Sequence, residues 1–147
     1  MDIFNTFKIG SSALKAQTLR MNTISSNLAN VETTSTPEGG PYKKKSVVFQ
    51  STPISFEQTL NKSINGDVED SVKGVKVSKV VEDEREPRKV YDPSHPDADE
   101  QGYVSMPNVS VLEEMVDMMS ATRSYQANTT SIQMAKRMAM KALSIGQ

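Results

Sequence analysis

Apolar residues recur with helical spacing at both ends of the chain. In the N-terminal stripe four apolar residues recur every seven positions, and they are Phe7, Leu14, Met21 and Leu28. Ile24, three residues after Met21, completes the stripe. The C-terminal stripe consists of Val111, Met115, Met118, Tyr125 and Ile132. Repeats of this length place their members along one face of an α-helix. Each terminal segment is therefore predicted to be a long helix with one apolar stripe that needs a partner.

The middle of the chain has a different pattern. All seven prolines lie between Pro37 and Pro107, which excludes a long helix there. In the segment 75–81, Val75, Val77 and Val81 are expected to share one face of a half-buried strand. Further short strands are predicted at 44–50, 54–57, 88–91 and 102–106, with a mobile polar loop over 58–74.

These elements predict an α+β fold in which long N- and C-terminal helices pair as a coiled-coil-like bundle around a small antiparallel β-rich middle. The expected regions are 1–34, 35–109 and 110–147. Ser110 and Glu113 form a capping-box pattern at the start of the second helix, and Gly146 is expected to end it. The first helix is predicted to be weak because Gly10 and its neighbouring serines are poor helix formers. Burial of both stripes on each other and on other subunits would stabilise it.

The composition excludes several classes of protein. Lys plus Arg is 17 and Asp plus Glu is 18, so the formal net charge is −1, and no long-range field favours nucleic acid or an anionic membrane. There is no cysteine, which excludes disulfides and thiolate chemistry, and His95 is the single histidine. No apolar run is long enough to span a membrane. Residues 1–17 have no positively charged start and no unbroken apolar run. If the protein leaves the cytoplasm, we therefore expect it to do so without an ordinary cleavable signal.

Candidate chemistry in the middle region is weak. A loop that starts at Asp97 approaches the calcium-loop pattern, but its twelfth position is Asn108, and turns in which Asp side chains bond local amides are favoured instead. Lysines 43–45 are interpreted as guards of a strand start, with phosphate contact as the alternative. His95 has no companion nucleophile or metal ligand. We therefore expect no enzyme activity, no metal and no cofactor.

The segment 25–33 carries a motif that resembles a known family. Its sequence SSNLANVET is similar to the N-terminal signature of bacterial flagellar axial proteins, whose matching positions here are Asn27, Ala29, Asn30 and Thr33. The stretches 36–45, 92–109 and 124–128 resemble one branch of that superfamily, the proximal rod proteins of the flagellar basal body. Near the helix end the asparagines could cap backbone groups or bond a neighbouring subunit.

The resemblance implies a non-enzymatic subunit of the rod that crosses the periplasm and transmits torque. It also implies type III export, self-association in a helical assembly, and contact with other rod proteins and with the rod-base and export-gate junction. In such proteins the terminal helices form an inner layer and the middle an outer one. The alternative from the residues alone is a soluble adaptor that binds a partner helix through its Met-rich C-terminal helix.

Overall fold

The computed structural model describes residues 3–53 and 73–145. The order of elements is α1 Ile3–Ala29, β1 Lys45–Pro53, β2 Lys73–Glu82, β3 Arg88–Tyr91, β4 Tyr103–Met106 and α2 Val111–Ile145. The predicted α+β class is confirmed. The predicted strand 54–57, the loop residues 58–72 and the helix stop at Gly146 lie outside the described residues. The loop prediction is wrong at its end, because Lys73 and Gly74 belong to β2 and pair with Pro53 and Thr52.

The two helices pack antiparallel along each other. Arg20 of α1 forms an ion pair with Asp117 of α2, and Gly10 of α1 lies against Ile132, much farther along α2. A Cβ on Gly10 would lie 2.7 Å from Ile132 Cγ1, well inside normal contact. The glycine that the sequence marks as a weak point of α1 is thus a point of close approach between the helices.

Small side chains occupy much of the helix pair's interior. Its most buried apolar residues are Ala16, Ile24, Ala121 and Ala135. Most predicted stripe residues are only half-buried: Phe7, Leu14, Met21, Leu28, Met118, Tyr125 and Ile132. Val111 and Met115 are exposed. Because alanine and glycine permit close helix approach, the larger stripe residues lie beside the contact and keep surface open to other molecules.

The strands β1 and β2 form an antiparallel pair with one irregularity. Val48 pairs with Lys79 and the next residue, Phe49, pairs with Val77, so Ser78 is an extra residue in β2. A one-residue bulge reverses the alternation of side chains beyond it. Val80, paired with Val47, therefore shares the face of Val77. The prediction that Val81 belongs to that face is wrong for this reason.

The strands β3 and β4 form a separate antiparallel hairpin with a structured turn. Asp99 Oδ1 accepts the amides of Gln101 and Tyr103 at 2.9 and 2.8 Å, and Asp92 Oδ1 accepts the Ser94 amide at 3.1 Å. Gly102 has a φ of +81°, a conformation that suits glycine. The predicted turns with locally bonded Asp side chains are confirmed for Asp92 and Asp99.

Two further hydrogen bonds fix the position of the sheet and the start of α2. The amide of Val75 in β2 donates to the Ser12 hydroxyl of α1 at 3.2 Å, which ties the sheet to the helix. Ser110 Oγ accepts the Glu113 amide at 3.4 Å, so the serine part of the predicted capping box is formed.

Within residues 3–53 and 73–145, no helix combines the length and apolarity needed to cross a membrane.

Candidate functional site: a buried polar cluster between the helices

The signature residue Asn27 is the centre of a buried cluster near the end of α1. Its amide nitrogen donates to the Lys45 carbonyl at 2.8 Å and to Glu114 Oε2 at 2.9 Å. Its oxygen accepts the Lys45 amide at 2.9 Å and the Tyr42 hydroxyl at 3.0 Å. A side-chain amide has two donors and two acceptor lone pairs, so all four are used. Asn27 is only 1% exposed.

Asn27 thereby takes the place of a neighbouring strand residue. It exchanges both hydrogen bonds with the main chain of Lys45, the first residue of β1. In an antiparallel sheet a strand neighbour makes the same pair of bonds. The helix α1 therefore sets the position at which the sheet begins.

Glu114 brings α2 into the same cluster. It is 1% exposed, and its Oε1 lies 2.8 Å from the Nζ of Lys44, while Oε2 accepts from Asn27. Glu113 Oε2 also lies 3.4 Å from this ammonium. We call Asn27, Tyr42, Lys44 and Glu114 the polar cluster. It joins the end of α1, the start of β1 and the first turn of α2.

The electrostatics of Lys44 follow from its surroundings. Burial by itself lowers the pKa of Lys44, but the hydrogen bond and negative charge of Glu114, with a smaller contribution from Glu113, outweigh it and raise the pKa above its usual value. The ammonium is therefore retained in the buried site. The interpretation of lysines 43–45 as guards of a strand start is wrong for Lys44, because its side chain is only 10% exposed and pairs with Glu114.

The other signature residues shape the turn that follows α1. Asn30 Nδ2 donates to the Ser26 carbonyl at 2.8 Å, and Asn30 Oδ1 accepts the Thr33 hydroxyl at 3.2 Å. The Tyr42 amide donates to the Thr33 carbonyl at 3.0 Å. Ala29 is exposed. The sequence leaves two roles open for these asparagines, a cap on backbone groups or a bond to a neighbouring subunit. In the structure, Asn27 and Asn30 both bond to groups of their own chain.

No pattern in the sequence predicts the contact between Lys44 and Glu114. Seventy positions separate them, and the sequence pattern assigns Lys44 to a strand start and gives Glu114 no partner. The signature could have identified Asn27 as one member of the cluster, because the side-chain amide of an asparagine near a helix end can donate and accept hydrogen bonds. Its partners depend on which element folds back over it.

Two segments of the chain match models of known protein families. Residues 7–35 match the model described as flagella basal body rod protein. Residues 100–145 match the C-terminal model of the flagellar basal body rod FlgEFG proteins. The first matched segment contains the signature with Asn27, and the second contains Glu114, which accepts a hydrogen bond from Asn27. Both models describe proteins of the flagellar basal-body rod.

Full-length relatives narrow this class. The chain is 47% identical over 151 residues to the flagellar basal-body rod protein FlgC of Bacillus subtilis, with 100% of both chains covered. It is 44% identical to FlgC of Escherichia coli O6:H1, again over 100% of both chains. FlgC of Borreliella burgdorferi is 40% identical, with 100% of this chain and 99% of the relative covered. The chain therefore belongs to the FlgC family of flagellar basal-body rod proteins.

This membership makes the chain a structural subunit of the flagellar basal-body rod, as the resemblance of its signature implied. The comparisons give no support to the alternative of a soluble adaptor. The polar cluster fits a structural role, because its groups are consumed by bonds within the chain.

Proposed function

We propose that this chain assembles with further copies of itself and with other rod proteins into a periplasmic shaft that transmits torque. The supporting observation is a set of large apolar side chains along α2 that the described chain leaves exposed. They include Leu112, Met115, Val116, Met119, Met138 and Leu143. A structural subunit that buries such surface against neighbours gains the free energy of assembly from it.

The proposal extends to the regions and partners expected from the sequence. Residues 1–34 and 110–147 form the inner part of the assembly, and residues 35–109 the outer part. The two stripes contribute the assembly interface, with Val111 and Met115 as its most exposed members. Other rod proteins and the rod-base and export-gate junction are the proposed neighbours. Export proceeds through the type III apparatus, and the chain performs no catalysis.

Replacement of an outward apolar residue tests this proposal. Met115 is 52% exposed, so Met115→Asp leaves the fold of the free chain intact but places a charge in the buried contact of the assembly. In a flagellated bacterium that lacks its own FlgC, the variant is expected to accumulate to the normal level, to be absent from isolated basal bodies and to leave the cells non-motile.

The matched control is Met115→Leu, which retains the apolar surface and is expected to restore motility. Normal motility with Met115→Asp would contradict a role for this face in assembly. Failure of the unaltered chain to enter basal bodies would contradict the proposed function as a whole.

A further inference from the structure

The strand β1 has one side that its partner β2 does not use. On that side Lys45 exchanges both of its main-chain hydrogen bonds with Asn27. Alternate residues of a strand direct their amides and carbonyls to the same side, so those of Val47 and Phe49 point the same way as those of Lys45. In the part of the chain that the structure describes, no group bonds to them there. Asn27 thus fills the first position of a third strand, and the positions after it are open.

A cleft of about 350 Å³ runs beside this open side of β1. Residues 44–47 and Phe49 form its strand wall. Consecutive side chains of a strand lie on opposite faces, so a cleft lined by consecutive residues follows the edge of β1. The opposite walls belong to α1 and α2, and they contain Thr23, Ile24, Glu113, Glu114 and Asp117.

The cleft retains a net negative charge after its ion pairs are counted. The ammonium of Lys44 lies 2.8 Å from a carboxylate oxygen of Glu114 and 3.4 Å from one of Glu113, so two carboxylates share one cation. Asp117 is balanced by Arg20. The remaining lysine of the cleft pairs with a glutamate of β2. One carboxylate of the α2 wall therefore has no cation of its own.

The hairpin of β3 and β4 also has one open edge. On the β4 side, Asp99 Oδ1 accepts the Tyr103 amide at 2.8 Å, and the Asp99 amide donates to the Tyr103 carbonyl at 2.9 Å. Tyr91 of β3 is paired with Tyr103. Its main-chain groups, and those of Lys89 two residues earlier, therefore point away from β4. No group within the two described ranges bonds to them.

The open edge of β3 is basic. Arg88 and Lys89 are exposed, and across residues 3–53 and 73–145 no carboxylate lies within 4.0 Å of either charged group. Charged side chains on a strand edge oppose pairing with strands in general. A cleft with an excess carboxylate accepts them. The charges therefore favour the cleft beside β1 as the place where β3 pairs.

We propose, on the basis of the proposed function, that β3 of one copy adds as a strand to the open side of β1 in the next copy. Lys89 and Tyr91 are spaced like Val47 and Phe49, two residues or about 7 Å along a strand, and their main-chain groups supply the missing hydrogen bonds. The two edges differ, so the contact is heterologous. Each added copy leaves one edge of each kind open, and such contacts generate helical assemblies when they do not close into a ring.

A proline on the open side of β1 tests the main-chain contact. Phe49→Pro removes an amide that points away from β2, a position where a strand tolerates proline. In a flagellated bacterium without its own FlgC, the variant is expected to accumulate normally but to enter isolated basal bodies at less than a tenth of the unaltered amount. Phe49→Val is the matched control, because valine also lacks the phenyl ring but keeps the amide. It is expected to enter normally.

Cross-linking tests the same contact without a proline. The chain contains no cysteine of its own, so Phe49→Cys/Tyr91→Cys introduces its only two thiols. A short bismaleimide joins strand neighbours that are directly opposite or diagonal, so it reacts whichever way β3 runs. Basal bodies that contain this variant are expected to give a ladder of covalent dimers and higher oligomers. Either single variant is expected to give less than a tenth of the product.

The control for exposure is Phe49→Cys/Met138→Cys. Met138 is 66% exposed but lies on α2, away from β3, and it is expected to give no ladder. Equal ladders from the two double variants would overturn the proposal, as would normal entry of Phe49→Pro into basal bodies.

Two further outcomes also overturn the proposed pairing. Dimers from Phe49→Cys alone would show that two β1 edges face each other. Basal bodies that contain Phe49→Cys/Tyr91→Cys but give no ladder would refute the pairing of β3 with β1 while leaving the proposed function intact. Absence of the unaltered chain from basal bodies would instead refute the proposed function.

Discussion

The two ends of the helix pair are held together by different physics. At the end of α1, the polar cluster joins three elements through directional bonds that consume every donor and acceptor of Asn27. Toward the start of α1, contact depends on shape, with Gly10 against the side chain of Ile132. Polar groups can fix one register, whereas apolar contacts tolerate sliding.

The comparison suggests a division of labour within the subunit. The polar cluster orients α2 and β1 relative to α1. The Gly10 contact keeps the far parts of the helices close. Variants that affect one end alone separate the two contributions.

The largest effect is expected from Glu114→Ala at the polar cluster. It removes one of the two acceptors of the Asn27 amide and leaves the buried ammonium of Lys44 with only the more distant carboxylate of Glu113. The free energy of unfolding should fall by about 3–5 kcal/mol. Guanidinium denaturation of the purified chain measures the change. Glu113→Ala is the control, since its side chain is 62% exposed, and it should cost less than about 1 kcal/mol. Equal losses would mean that burial at the cluster is unimportant.

The next effect is expected at the opposite end. Gly10→Leu adds atoms where even a Cβ would lie 2.7 Å from Ile132 Cγ1, and overpacking of this kind costs about 1–3 kcal/mol. Thermal unfolding of the variant measures the loss. The double variant Gly10→Leu/Ile132→Ala should recover part of it, because the second change makes room for the first. Additive losses in the double variant would refute the close contact.

A smaller effect should appear at high pH. The pKa of Lys44 is raised in the folded chain by Glu114 and Glu113, so the stabilisation is complete below the unfolded pKa of 10.5 and is lost as the pH rises through the folded value. Unfolding free energies between pH 9 and 12 should fall less for Lys44→Met than for the unaltered chain. Lys43→Met, an exposed neighbour, should follow the unaltered chain. If the unfolding free energies of the unaltered chain and both variants fell in parallel with pH, the ionisation of Lys44 would not be coupled to stability.

The smallest effect is expected outside both ends, at the ion pair of Asp83 and Arg85. Arg85 lowers the pKa of Asp83 from 3.8 to about 2. The pair therefore contributes above pH 4, and the contribution is lost as the pH falls toward 2. Arg85→Ala should destabilise the chain only slightly at pH 7, because the Arg85 side chain is 65% exposed and solvent screens its charge. A loss as large as that of Glu114→Ala would remove the contrast between buried and surface pairs.

The elements themselves follow from local pattern. Seven-residue spacing of large apolar side chains predicted both helices, and valine alternation predicted β2 in part. The bulge at Ser78 was not predictable, because no residue type marks the position of an unpaired strand residue in this sequence. It changed the face of Val80 and Val81, and only the register with β1 shows it.

The candidate site likewise has features that local sequence pattern predicts and features that only the tertiary contacts decide. The sequence by itself determined the α+β class and the family signature around Asn27, since each depends on residues close together in the chain. Only the tertiary structure decided that Gly10 is a contact point and that Lys44 is buried against Glu114. These features join positions more than 65 residues apart. Their energies arise from burial and charge pairing, which exist only once the helices and the sheet have met.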